Sequence, residues 1–458
     1  CIRDSSVLVA QLRGHLRDGW RATPDGTDLL HALTQEHPLQ PFSAAYFPPR
    51  AAAGDAVHGL DGLYTYAHEW GAAQSPAASE QPAAQPEPLP EHLPEAPLRL
   101  RELADFLAQP VQAFFRSRLR AVLGQSEAAS LDDEAFSLDA LQTWQLQNEL
   151  CLRLKPWVEQ EWPAGPAADP STHPGAHGPA DAAAEARQAV ASRLADELDR
   201  LAEQGQLPLA GFGPHAANTL AAPLTDLLAR YRAQLERYDA GVLPVQELSV
   251  SAARTEPPGS GTPALALEDD VDGVRLSGWD AVGSQPPSAR IQLVSGKLHE
   301  GRGYKWHSLV RHWVDHLALQ AVAPQAATVL VSQTGDLVLA PLPAGEARAL
   351  LADLLDAWAQ GMREPLPVSC KSAFAWLAAG PEPERRLRDA ATAYDGSFGL
   401  AGEAERSPEL ARAYPRFADL AATGAFEAWC DRLYRPLFDA IQGAPGEPAD
   451  GDKPGDAA

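Results

Sequence analysis

Residues 274–319 read VRLSGWDAVGSQPPSARIQLVSGKLHEGRGYKWHSLVRHWVDHLAL, and the periods within them set the fold. VRLSGWDAV and ARIQLV are short runs of β-formers on either side of a Pro-rich turn. The following stretch places Leu309, Val310, Trp313 and Leu317 at helical spacing. Two strands delivered into one amphipathic helix predict an α/β domain, with a small mixed sheet flanked by helices.

Working toward the C-terminus, Thr328 to Val331 and Leu337 to Leu339 are two further β-type runs, with Thr334-Gly335 as the hairpin turn between them. Helices are expected over Ala347 to Trp358, Pro383 to Tyr394 and Phe426 to Phe438. Toward the N-terminus come a strand from Val245 to Val250 and helices near Leu220 to Tyr238, Ala183 to Glu203 and Leu138 to Leu154. Leu100, Leu103, Phe106 and Leu107 form one helical face, which Gln109-Pro110 interrupts. Pro110 suits the first turn of a second helix, with the face Val111, Phe114, Phe115, Leu119 and Val122. The acidic run EDDVDG, Glu268 to Gly273, reads as a solvated turn between strands.

Val7 to Trp20 carries Val7, Leu8, Leu12 and Leu16 at helical spacing. A Pro-punctuated extended segment and GLYTYAHEW follow it. Residues 74–97 are rich in Pro, Ala, Gln and Glu and read as a linker, the strongest domain boundary in the chain. A Pro/Gly/His-rich loop at about 163–180 and the tail 443–458 are expected to be disordered. The chain opens on Cys rather than Met, within what looks like a strand-to-helix passage, so an absent N-terminal part is expected.

The 458 residues hold 61 acidic and 37 basic side chains, a net charge of −24. That excludes coating DNA by bulk electrostatics, which relies on Lys and Arg displacing counterions. It leaves open local basic patches, or partners that supply positive charge. Cys1, Cys151, Cys370 and Cys430 lie far apart with no CxxC pair, and read as reduced thiols of a cytosolic protein. No apolar run approaches the roughly 18 residues of a membrane span, no signal peptide opens the chain, and no GxxxxGK[ST] occurs. Gly301-Arg302-Gly303 is too short for a dinucleotide fingerprint.

Three landmarks, in this order, resemble the C-terminal part of the RecC family, the gamma subunits of exodeoxyribonuclease V (the RecBCD helicase–nuclease). They are QEHPLQPFSAAYF with LYTYAHEW; FLAQPVQAFFRSRL with FSLDALQTWQLQNELCLRL; and VRLSGWDAV through HSLVRHWVDHLAL to QGMREPLPV. The resemblance implies that residues 1–73 end an inactive helicase-like region. It also implies that residues 98–442 form a C-terminal domain similar to PD-(D/E)xK nucleases but without their activity. The implied partners are the beta and alpha subunits of a cytoplasmic heterotrimer, together with double-stranded DNA ends and forked DNA. ATP and Mg²⁺ would then be used by those partners, and no cofactor by this chain. At the level of the complex, the implied work is duplex splitting and hotspot-regulated end resection in recombinational repair.

Residue chemistry agrees with lost activity. Two-metal hydrolysis needs carboxylates to hold Mg²⁺ and a Lys near the reacting phosphate. Related active nucleases place Asp three residues after a Gly on the first strand, which from Gly278 falls on Ala281. Asp280 is adjacent but would point to the opposite face of a regular strand. On the second strand Ser295-Gly296-Lys297 stands where Asp/Glu-x-Lys is needed, so Ala281, Ser295 and Lys297 are the relic positions. Lys297 is open to two readings, a relic or a solvated turn lysine. The alternative function is a divergent Mg²⁺-dependent nuclease using Asp280 and Lys297, with Glu268, Asp269 or Asp270 as further acids. His312 and His316, four apart on the helix, are expected at its polar edge as solvated residues rather than zinc ligands, since Trp313 stands where a metalloprotease motif needs Glu.

Two basic patches interrupt the acidic background. Arg116, Arg118 and Arg120 follow Phe114-Phe115 and read as the outer edge of an amphipathic helix. Lys297, Arg302, Lys305 and Arg311 are interleaved with Tyr304 and Trp306, a mixture suited to phosphate contact and base stacking. These six residues are the candidate DNA contacts, and a solvated loop capping a helix is the competing reading.

Overall fold

The computed structural model describes residues 7–20, 29–34, 37–40, 43–47, 69–72, 87–124, 137–161, 179–252, 265–277, 287–300, 303–397 and 399–442. Asp280, Ala281, Arg302, Cys1, the loop at 163–178 and the tail 443–458 lie outside them. The chain forms two compact units, Cys1–Glu87 and Pro88–Ala458.

The first unit contributes helices α1 (Val7–Gly19), α2 (Leu29–Leu33) and α3 (Glu69–Ala72). Tyr46 places its hydroxyl 3.3 Å from His37 Nδ1, within the QEHPLQPFSAAYF segment.

The second unit opens with α4 (Leu100–Ala108) and α5 (Pro110–Ala113), the latter running into a π-helical turn at Phe114–Arg118. Next come α6 (Ala140–Pro156), extended by a second π-helical turn, α7 (Pro179–Glu203) and α8 (Phe212–Arg237). The strands β1 (Gly241–Val242), β2 (Gln246–Ser251), β3 (Ala266–Val271), β4 (Val274–Leu276), β5 (Ser288–Val294), β6 (His299–Glu300) and β7 (Gly303–Tyr304) lead to α9 (Trp306–Val322). After β8 (Ala326–Ser332) and β9 (Gly335–Leu339) come α10 (Ala344–Gly361), α11 (Cys370–Ala378) and α12 (Pro383–Asp395). The small pair β10 (Gly396–Ser397) and β11 (Leu400–Ala401) precedes α13 (Glu403–Arg406), α14 (Pro408–Ala413), α15 (Phe417–Ala421), α16 (Ala425–Leu433) and α17 (Arg435–Gln442).

The main sheet has the order β1-β4-β5-β8-β9, and β5 and β8 are its parallel neighbours. All other pairings are antiparallel, so the sheet is mixed, as expected. Every residue of β8 is buried, which requires cover on both faces. Ala326 and Leu330 face a core built with α4, α9, α10 and α11. Ala327, Val329 and Val331 face a second core built with α6, α7 and α8. Alternation along one strand therefore serves two cores. The sequence turns to helix on either side of the strands because both faces must be covered.

Local chemistry sets the element ends. Asp139 accepts from Gln142 N at 2.7 Å while Gln142 Oε1 accepts from Asp139 N at 3.0 Å, a reciprocal cap for α6. Gln109-Pro110 separates α4 from α5 with Pro110 in the first turn, as its missing N–H allows. The β8–β9 hairpin pairs Ser332 with Gly335, so its two loop residues are Gln333 and Thr334, one position earlier than expected. Gly335 takes φ +129, which favours glycine there.

Several expectations need correction. EDDVDG is not a turn: Glu268, Asp269 and Asp270 belong to β3, paired with β2, and the reversal falls at Asp272-Gly273. Leu119 and Val122 are exposed, because the helix after Pro110 ends at Arg118. Phe426 to Phe438 is two helices, α16 and α17, with Tyr434 between them just ahead of Pro436. α11 was not anticipated. No helix among the described residues is long and apolar enough to cross a membrane.

Candidate nucleic-acid interface

Ser295, which the sequence reading compares with the second acid of a nuclease, lies in the turn after β5 within a neutral hydrogen-bond network. Ser295 is buried, and its hydroxyl donates to Asn148 Oδ1 of α6 at 2.8 Å. Gln333 Nε2, from the β8–β9 loop, donates to Ser295 O at 2.6 Å and to Gln147 Oε1 at 2.8 Å. Thr334 Oγ1 accepts from Leu298 N at 3.2 Å and His299 N at 3.1 Å. Five side chains from α6, the turn and the hairpin loop thus tie this region together through hydroxyl and amide groups, with no carboxylate among them. Among the described residues no group of three or more His, Cys, Asp or Glu could hold a metal ion.

Lys297 follows that turn, exposed, with no hydrogen bond or ion pair to a described residue. Lys305 N donates to Leu298 O at 2.8 Å, which brings the start of α9 back beside Lys297. Between them β6 and β7 form a short hairpin, pairing His299 with Tyr304. Tyr304 lies 4.4 Å from the His299 ring and 5.3 Å from Trp306, between centroids. Burial pushes the Tyr304 hydroxyl above its ordinary range and His299 below its own.

The six predicted contacts do not share one role. Lys297, Tyr304 and Lys305 come together around the hairpin. Trp306 stacks on Phe374 at 5.1 Å and 11°, and packs 4.9 Å from Phe438, so its ring is held within the protein. Arg311 is half-exposed and forms an ion pair with Asp105 of α4. In the other basic patch Arg118 donates to Pro90 O at 3.0 Å, while Arg116 and Arg120 are exposed.

His312 and His316 of α9 are not solvated. His316 is 1 % exposed and places Nδ1 2.8 Å from Thr328 Oγ1 of β8. His312 places Nδ1 2.8 Å from Gln292 Oε1 of β5. Burial depresses the pKa of each to about 4, with Arg311 and Arg290 adding to the effect at His312. They are neutral ties between helix and sheet. The helical-face argument assumed one buried face, whereas α9 is wedged between the sheet and other helices.

Asp269, one of the acids considered for a divergent nuclease, is committed elsewhere: its Oδ2 accepts from Leu100 N at 2.9 Å, at the start of α4. Sequence reading missed this role because the two residues are 169 positions apart.

A family profile described as the RecC C-terminal domain matches residues 95–381. The RecBCD enzyme subunit RecC of Escherichia coli (strain K12) is 26% identical over 359 residues, covering 74% of this chain. The same alignment covers 26% of that relative, so the chain spans about a quarter of its length. The profile match takes in the main sheet, the helices α6 to α11 and the hairpin at Lys297, and on that ground the chain belongs to the RecC family through its C-terminal domain.

Proposed function

We propose that this chain is a non-catalytic, DNA-handling and scaffolding part of a RecBCD-type complex. It works beside the alpha and beta subunits in the cytoplasm, in the processing of double-strand ends for recombinational repair. Its second unit is a PD-(D/E)xK-like domain without its metal site. ATP hydrolysis and Mg²⁺-dependent cutting belong to the partner subunits, while this chain contributes to duplex splitting and to hotspot-regulated resection. The observation that carries the reading is the Ser295–Asn148 hydrogen bond: the buried position a catalytic acid would occupy is closed by two neutral groups. A carboxylate there would lose hydration without gaining a metal.

DNA contact is assigned to the Lys297–Arg311 segment, where Lys297 and Lys305 flank the β6–β7 hairpin and Tyr304 supplies an aromatic edge. Cations beside an aromatic on a short hairpin suit the junction of duplex and single strands. The test replaces Lys297, Arg302 and Lys305 by Ala in the assembled complex and measures affinity for forked DNA against salt. Tenfold or greater weakening is expected, with the salt slope shallower by about 0.9 per lost phosphate contact. Unchanged affinity and slope would sink the assignment.

A further inference from the structure

A cleft of about 240 Å³ opens between the α4–α5 junction, the N-terminus of α11 and the α13–α14 junction. Its lining divides between apolar groups such as Val111 and Leu410 and polar ones, among them Ser369, Lys371, Glu403 and Arg406.

Ser369 stands at the N-cap of α11 yet makes no side-chain cap bond. An N-cap hydroxyl ordinarily accepts from the amides of the first turn. Here the Glu403 carboxylate has taken that place, accepting from Lys371 N and Ser372 N at 3.1 Å each and from Ser372 Oγ at 2.9 Å. The Ser369 hydroxyl is left over. Ser369 is 3 % exposed, and its Oγ has no partner among the described residues. An unpaired buried hydroxyl is destabilising, so a polar group arriving in the cleft would recover that loss. The Lys371 ammonium and the Arg406 guanidinium line the same cleft, and neither forms an ion pair with a described residue. Elsewhere in the unit arginines such as Arg153, Arg230 and Arg432 are paired with acids.

We propose that this cleft binds a carboxylate carried on a small apolar body, the chemistry shared by a peptide C-terminus and a small organic acid. The carboxylate would accept from the Ser369 hydroxyl and pair with Lys371 and Arg406, while the apolar body packs on Val111 and Leu410. The volume lies below the roughly 300–1,000 Å³ of drug-sized sites, so the body is small. A phosphate fits less well, because it carries no apolar body to pack on Val111 and Leu410.

The full 458-residue chain would be titrated calorimetrically with N-acetyl-leucine, acetyl-alanyl-leucine, the C-terminal amide of that dipeptide and inorganic phosphate. Both carboxylates are expected to bind, with the amide at least tenfold weaker and phosphate weaker than either. A dipeptide tenfold tighter than the amino acid identifies a peptide terminus as the source; equal affinities identify a small acid. Ser369→Ala, Lys371→Gln and Arg406→Gln should each weaken acid binding fivefold or more. Ser369→Ala should also leave the unfolding midpoint unchanged or higher, since it removes an unpaired hydroxyl. Equal binding of amide and acid, tighter phosphate, no binding at millimolar probe, or a lower midpoint in Ser369→Ala would each overturn the proposal.

Discussion

Ser295→Asp asks whether the turn after β5 is one residue short of a nuclease or has been rebuilt around neutral groups. Ser295 is 8 % exposed, and its hydroxyl donates to Asn148 Oδ1 at 2.8 Å. An aspartate there turns a donor into an acceptor opposite an acceptor. Gln333 Nε2 cannot compensate, since it already serves Ser295 O and Gln147 Oε1. If Asn148 rotates its amide, the carboxylate regains one donor; Lys297, two residues on, is exposed and turned to solvent. Losing one hydrogen bond and burying a charge with a single neutral donor together cost about 2–4 kcal/mol. Ser295→Ala only removes the donor and should cost about 1 kcal/mol. Urea unfolding followed by tryptophan fluorescence would report both, with the midpoint falling at constant slope. Incubation of the aspartate variant with linear DNA and Mg²⁺ should leave the DNA intact. An aspartate variant as stable as its parent that also cuts DNA would refute the reasoning, because the network would then be a latent metal site.

The remaining predictions concern parts the sequence only half disclosed. His316 is buried with a pKa of about 4 against an ordinary 6.5. Its unfolded state therefore binds a proton first, and stability present above pH 6.5 is lost as pH falls toward 4, by about 3 kcal/mol in all. Unfolding of His316→Gln should show a flatter pH dependence over that window, and an unchanged profile would mean that the imidazole is not buried neutral. Asp269→Ala should destabilise by about 1 kcal/mol through the loss of its cap on α4, whereas a role in catalysis would affect activity and leave unfolding alone. Cys151, Cys370 and Cys430 are free and buried, and burial raises all three thiols. Peptide mapping after maleimide treatment should find these three labelled only in denaturant.

What the sequence disclosed is local. Leu100, Leu103, Phe106 and Leu107 recur at helical spacing, and all four are buried in α4. The β8–β9 hairpin was visible because Ala326–Ser332 is nearly continuous in apolar and small residues. What stayed hidden depends on partners distant in the chain. β3 carries Glu268, Asp269 and Asp270, and three carboxylates in a row resemble a turn unless one knows that Leu267 and Val271 are buried on either side. His312 and His316 read as solvated because their ties, Gln292 and Thr328, lie on β5 and β8. At the candidate interface the mixture of cations and aromatics was legible. The commitment of Trp306 to Phe374 and Phe438 was not, since it arises from helices docked far along the chain.

The central claim is that this chain handles DNA without cutting it. The most direct measurement incubates the purified chain with linear and forked DNA, with Mg²⁺ or Mn²⁺ and without ATP, and follows strand length. The account predicts full-length DNA throughout, alone and in the Ser295→Asp variant. Metal-dependent degradation by the parent chain that disappears in Asp280→Ala would contradict it and make the chain a nuclease in its own right.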